Sequence, residues 1–275
     1  MAELFIEFLG VSWRYLPWLI LTSFVLAYLC QIAGWKSGWL IRRPKLRKGK
    51  KRPPSAKPGI VLLIGFLLAL VTLALAFAAY HVNIWLSLAF QAVIGALLLD
   101  TRDLFDIGDK IAYLMGSKKM QPAGVLLSRF VGRNSMKLNG HEMIGLTMNT
   151  SKAALAAASV GPLFALMIGG APLGVLVKAV LAGDWKRRDP LAAADKNAAV
   201  RIFFGPANGL AGLMLRVSAA VMGFVLRKTP VSGVRYMLSD LERNNRHLLI
   251  ASVITMIVCI DILLLIRLVL GLVAA

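Results

Sequence analysis

Residues 60–79 and 84–99 are two nearly uninterrupted apolar runs parted only by Tyr80-His81-Val82-Asn83. A hydrocarbon core of roughly 30 Å demands that every backbone amide find its partner within the chain, and about 20 apolar residues achieve this as one helix. Two such runs so closely joined predict a helical hairpin that turns on the outer side of a membrane. Further runs fill 16–34 and 248–275, and 143–182 is mostly apolar for 40 residues. None shows the alternating ten-residue pattern of a barrel strand. Hydrophobic residues make up 58% of the chain, more than a soluble core of this length hides. The expected fold is all-α: a polytopic integral membrane protein forming a single membrane domain over 1–275. It has about four full spans plus one or two re-entrant or interfacial helical hairpins.

Charge orients these segments. The chain carries 32 Lys and Arg against 13 Asp and Glu, a net +19, and cytoplasmic loops collect such an excess. The region 36–59 holds Lys36, Arg42, Arg43, Lys45, Arg47, Lys48, Lys50, Lys51, Arg52 and Lys57 with no acid, and Pro44, Pro53, Pro54 and Pro58 prevent a long helix. It reads as an extended cytoplasmic loop. Each cation near an anionic headgroup is worth roughly 1 kcal/mol, so membrane lipids are an expected partner, although the loop also serves as a topology signal alone. No nucleic-acid partner is expected, and a protein partner stays open. The start of the chain shows Glu3 and Glu7 rather than a basic signal-peptide region, so the first apolar stretch is expected to remain in the mature protein. Trp13 and Trp18 on one side of 16–34, and Trp35 and Trp39 on the other, suit interfacial anchors.

The cytoplasmic segment 100–142 opens with Asp100, Asp103, Asp106 and Asp109, interleaved with Leu104, Ile107, Ile111 and Leu114 at helical spacing. Adjacent pairs of these carboxylates could share Mg²⁺, whereas four at steps of three drift around the helix; a solvated face is the plainer reading. Residues 127–135 read as a polar loop leading through Glu142 into the long apolar segment. About 60 Å of continuous helix over 143–182 would be twice a bilayer core, so a bend is required. Gly169-Gly170-Ala171-Pro172 supplies it. Basic residues recur at 186–188 and at Arg227-Lys228, which by the positive-inside rule returns both segments to the side holding Arg129 and Arg133. The segments 153–182 and 203–226, the latter with Arg216, are therefore expected to be re-entrant or interfacial hairpins around a cavity. A short polar helix is expected at 236–247, followed by the last span with Asp261 and Arg267 about 120° apart on its surface. Asp261 is either a functional carboxylate or one neutralised by a neighbouring helix. Cys30 and Cys259 read as small core residues. His81, His141 and His247 are isolated, so no metal site is assigned.

Within 127–184 the chain carries Leu127-Ser128, Val131-Gly132-Arg133, Glu142, Pro162-Leu163-Phe164, Gly169-Gly170-Ala171-Pro172, Lys178-Ala179 and Asp184. At this spacing the stretch resembles the signature region of the CobD/CbiB family, membrane enzymes of cobalamin assembly. The resemblance implies residence in the bacterial cytoplasmic (inner) membrane as a multi-pass protein. It also implies a ligand site at Ser128, Arg129, Gly132, Arg133, Glu142, Gly169, Gly170, Lys178 and Asp184, for a corrinoid or another anionic small molecule. The departures are one-sided. Where the family's pattern has carboxylates or Asn, this chain has Asn134, Asn149, Ala153-Ala154, Ala157, Leu181, Ala199 and Val200, and Ala158 stands where the pattern has the Gly of an Asp-Gly pair. Family members are thought to join an aminopropanol unit to a corrinoid carboxylate at the expense of a nucleotide, which needs hard oxygen ligands for Mg²⁺ and a base. Asn and Ala supply neither, while Arg and Lys still bind an anion.

Catalytic residues are therefore not assigned, and whether the chain is an enzyme is left open. One reading is a divergent, non-catalytic or altered member with a basic cavity, similar to the AmpE-like proteins of the same family, which are linked to signalling. The alternative is a working adenosylcobinamide-phosphate synthase, a Mg-nucleotide-dependent amide-forming ligase of cobalamin biosynthesis, with Asp100 to Asp109 as replacement ligands and Mg²⁺ as its cofactor.

Overall fold

The structure is a computed structural model that describes residues 2–33, 58–99, 101–131, 135–136, 138–185, 209–210, 213 and 238–274. The basic loop at 36–57, nearly all of 203–226, the basic residues at 186–188 and 227–228, and Asp100, Gly132, Arg133 and Asn134 lie outside these residues. The described elements are helical, as the apolar runs require: α1 (Ala2–Ile32), α2 (Pro58–Val82), α3 (Ile84–Leu98), α4 (Thr101–Gly116), α5 (Met120–Val131), α6 (Gly140–Leu155), a π-turn (Ala156–Val160), α7 (Gly161–Trp185) and α8 (Leu238–Ala274). Four stretches are long and apolar enough to cross a membrane: Glu3–Ile32, Leu62–Val82, Gly140–Leu181 and Leu241–Leu270. The chain is an all-α, multi-pass membrane protein.

Several boundaries differ from the sequence reading. The first helix starts at Ala2, so Trp13 and Trp18 sit within it and are exposed rather than marking its edge. Its early turns hold because Phe5 and Phe8 meet Phe77 edge-on, with centroids 5.5 and 5.6 Å apart, and Phe8 meets Tyr80 at 5.5 Å. The α2–α3 turn contracts to Asn83, whose side-chain oxygen accepts the Trp85 amide at 2.8 Å and caps α3. Ser87 Oγ donates to the Ala76 carbonyl at 2.8 Å and ties the two legs together.

Helix α3 has 15 residues, about 22 Å, and so falls short of the full span expected for 84–99. A helix ending at membrane depth needs partners for its last carbonyls. Gln31 of α1 provides one, its Nε2 donating to the Leu99 carbonyl at 2.7 Å. Replacing Gln31 by Leu is expected to cost about 1 kcal/mol, the usual net worth of such a bond. Thermal unfolding in detergent checks this, and an unchanged midpoint would remove Gln31 from the account of how α3 ends.

Two further corrections concern polar segments. Leu127, Ser128 and Arg129 lie on helix α5 instead of in a loop, because Ala123, Leu127, Phe130 and Val131 recur at helical spacing and bury one face. The short helix expected at 236–247 is continuous with the last span. No Gly or Pro interrupts 238–270, and Leu241, Asn245, Leu248, Ser252, Thr255, Cys259 and Leu263 form one buried stripe throughout.

Two apolar cores result. One joins α4, α5, α6, the π-turn and parts of α7 and α8; the other joins α1 and α3 with Leu163, Leu166 and Ala171 of α7 and Cys259 and Leu263 of α8. Helices α7 and α8 thus cross from one core to the other. At the crossing of α4 and α8, a Cβ on Gly108 would lie 2.7 Å from Asn245 Cγ, so glycine sets how closely the helices approach. Arg267 finds its partners on α1, donating to the Trp13 and Arg14 carbonyls, while Asp261 is exposed on α8. Both cysteines are free thiols.

Candidate functional site

The long apolar segment is irregular at two places, and proline accounts for the first. Pro162 has no amide hydrogen to offer to the carbonyl four residues back, and its ring crowds that carbonyl. The helix widens just before it: the Gly161 amide donates to Ala156, five residues back, and Ala156–Val160 form a π-turn. The Ala157 carbonyl thereby loses its ordinary α-helical donor, Gly161. Lys178 of α7 replaces it, with Nζ 3.3 Å from that oxygen. Lys178 is 1% exposed, a cation enclosed by the core.

Hydroxyl groups around this turn behave unlike others in the chain. Thr72, Thr147, Ser252 and Thr255 each donate to the carbonyl four residues back, at 2.7–3.0 Å. Thr150, Ser151 and Ser159 are fully buried, yet their hydroxyls have no hydrogen-bond partner. Buried polar groups are normally satisfied, so three exceptions on one stretch of helix call for a cause.

The second irregularity lies where Gly169-Gly170 predicts it. Gly169 (φ −139°, ψ 20°) and Gly170 (φ 64°, ψ −159°) leave helical geometry, and Pro172 then falls in the first turn of the distal half of α7. There its missing amide hydrogen costs nothing. Lys178 stands two turns beyond this break.

The remaining candidate residues lie on or beside α5 and α6. Ser128 Oγ donates to the Gly124 carbonyl at 2.6 Å and accepts the Ser135 amide at 2.8 Å, tying Ser135 to α5. Arg129 is exposed on the same helix. Glu142 and Asn139 form a capping box: Glu142 Oε2 accepts the Asn139 amide at 3.0 Å, and Asn139 Oδ1 accepts the Glu142 amide at 2.9 Å. Glu142 is thus engaged in starting α6. Asp184 is in the last turn of α7. The predicted residues therefore form two groups, one at the α5–α6 corner and one on α7, and both helices pack into the same core through Leu127, Phe130, Val131, Val177 and Leu181.

The family model described as CobD/Cbib protein matches residues 26–184, which is 159 of 275 residues. The chain belongs to the CobD/CbiB family. A curated relative, the cobalamin biosynthesis protein CobD of Halalkalibacterium halodurans, is 28% identical over 123 residues, 44% of this chain and 39% of the relative. The match thus covers about two fifths of that relative's length. No solved structure matches.

In this CobD/CbiB family member, positions at which the resemblance expects carboxylates or Asn are closed by packing. Ala154, Ala157 and Leu181 are all 1–2% exposed within the apolar core. Of the four aspartates, Asp106 is half-buried and Asp109 exposed on α4, where the Asn245 amide reaches Asp109 Oδ1 at 3.4 Å. Among the described residues no three His, Cys, Asp or Glu side chains converge as metal ligands. Sequence reasoning missed Thr150, Ser151 and Ser159. Their signal was faint: hydroxyls within a small-residue run just before a proline.

Proposed function

We propose that this protein is a divergent CobD/CbiB-family member, non-catalytic or altered in activity, that binds an anionic ligand in a basic cavity on the cytoplasmic side of a bacterial inner membrane. Its role is accessory or signalling, as in the AmpE-like branch. One observation carries the reading: the Lys178 ammonium is buried beside Ala157 and holds a backbone carbonyl, where the resemblance leads one to expect side-chain carboxylate. With Ala157 where the resemblance expects Asp, the site keeps a cation suited to anion binding and lacks that oxygen ligand of a nucleotide-driven ligation. The candidate ligand residues are Ser128, Arg129, Gly132, Arg133, Gly169, Gly170, Lys178 and Asp184, with Glu142 fixing the start of α6.

The alternative, a synthase drawing Mg²⁺ ligands from Asp100 to Asp109, differs in one measurable way. Calorimetric titration of the purified protein with Mg-nucleotide and with a corrinoid acid, beside Arg133→Ala, separates the two. The proposal expects no Mg²⁺-dependent nucleotide binding, and binding of a corrinoid acid, where found, to weaken by about tenfold or more on loss of the Arg133 charge-assisted contact. Mg²⁺-dependent binding of both ligands that disappears in Arg133→Ala would overturn it in favour of the synthase.

A further inference from the structure

Asp261 is a charged group to which the fold gives no task. It lies within the apolar stretch Leu241–Leu270, nine residues, roughly 14 Å of helix, from its end. Cys259 and Leu263, two residues to either side, are buried in the core shared with α1 and α3, and a step of two residues turns a helix by about 200°. Asp261 therefore faces away from the bundle. It is exposed, and so are Ile257, Leu264, Leu265 and Leu268 around it. Among the described residues it has no hydrogen bond or ion pair. Arg267 does not supply one, since it donates to the Trp13 and Arg14 carbonyls. A carboxyl group placed there meets lipid tails, which offer no donor, whereas such residues in membrane helices are otherwise turned inward or paired.

We infer that this face of α8 is a self-association surface, on which a second copy of the chain brings its own Asp261 against this one. Ile257, Asp261, Leu264 and Leu268 follow one another at steps of four, three and four, the spacing of a coiled-coil seam with Asp261 at a single a position. Membrane helices commonly cross at the angle of such a seam. Two copies inserted the same way in one bilayer are related by an axis along the membrane normal, so their α8 helices run parallel and each seam residue meets its counterpart at equal depth. Only a self-complementary group is satisfied in that arrangement. A carboxyl group is one: protonated it donates, ionised it accepts, and one proton held between two such groups gives a short, charge-assisted bond. One negative charge, not two, then remains between the helices. Electrostatic complementarity thus selects a second copy over lipid. The leucines and Ile257 pack as well against lipid tails as against each other, so Asp261 decides both that the pair forms and in what register. The surface lies on the side of α8 away from α7, and the pairing is independent of anion binding.

The test is sedimentation equilibrium of the full chain in detergent at several protein-to-detergent ratios. Wild type should sediment as a reversible dimer. Asp261→Leu should raise the dissociation constant about tenfold, the scale of one interhelical hydrogen bond in a membrane, while Asp261→Asn, which still donates and accepts, should keep the dimer. Leucine at this exposed position removes no contact within the chain, so the variant folds. The geometry is read separately, in lipid vesicles. Oxidation of Leu264→Cys should join two chains by a disulfide, whereas Leu67→Cys, exposed on α2, should not; wild type, whose Cys30 and Cys259 are free thiols, gives the background. A wild-type protein that is monomeric at every ratio overturns the pairing, including one that instead holds a different membrane protein with a basic residue in its helix. So does a dimer as tight in Asp261→Leu as in wild type, or cross-linking at residue 67 and not at residue 264.

Discussion

Lys178→Ala should lower the unfolding free energy by about 2–5 kcal/mol more than Lys178→Met does. Truncating a large enclosed side chain typically costs about 2–5 kcal/mol through lost packing and the cavity left behind, and Lys178 is among the largest fully buried side chains. Methionine keeps most of the stem's volume. Both substitutions remove the ammonium and its 3.3 Å bond to the Ala157 carbonyl, so those effects are common to the two and the difference isolates the packing of the stem. Chemical denaturation of both variants in the same detergent measures it. If Met loses as much as Ala, the polar contacts of the ammonium, and not the packing of its stem, hold this position.

How much of this was legible beforehand depends on which signal each feature left. The hairpin of α2 and α3 follows from two apolar runs with almost nothing between them, and α4 follows from Leu104, Ile107 and Ile111, all of which are buried. The break in α7 was readable because two glycines precede a proline within four residues. The π-turn was not, since Pro162 stands inside an apolar motif and one proline is compatible with a kink, a helix start or a widened turn. Helix α5 was misread as a loop because Ser128, Arg129 and nearby glycines outweighed the spacing of Ala123, Leu127 and Phe130. Lys178 was assigned to ligand binding from the resemblance, but its enclosure was not foreseen. A lysine near a helix end ordinarily extends its head toward water, whereas this one donates to the Ala157 carbonyl, released at the π-turn. The unpartnered hydroxyls escaped notice for the same reason: a Ser or Thr in an apolar helix usually bonds back to its own carbonyls. Departure from that habit is visible only in three dimensions.

Gly170→Ala should be strongly destabilising, by about 2–3 kcal/mol, because both ways of accommodating the methyl group are unfavourable. Keeping φ 64° and ψ −159° places a Cβ in a backbone region open essentially to glycine alone, at about 1–3 kcal/mol. Returning residue 170 to helical geometry instead makes α7 continuous through Pro172, whose ring then meets the Ile168 carbonyl and whose missing donor is no longer at a helix start. An interior proline costs about 3 kcal/mol or more. Gly10→Ala provides the contrast in sign. A Cβ there meets nothing within 4 Å and the position lies within α1, so the substitution should stabilise by about 0.5–1 kcal/mol through helix propensity. Thermal unfolding of the two variants beside wild type compares them directly. Equal effects would mean that the Gly169-Gly170 break is set by its surroundings and not by glycine. The break also bears on the site, since the distal half of α7 carries Lys178. Straightening α7 at residue 170 changes the direction and rotation of that half relative to the π-turn, and with them the approach of Nζ to the Ala157 carbonyl. A Gly170→Ala protein that folds should therefore bind a corrinoid acid, where wild type binds one, more weakly, although residue 170 is two turns from Lys178. An unaltered affinity in a destabilised variant would show that Lys178 is held by its packing beside Val177 and Leu181, independently of the bend.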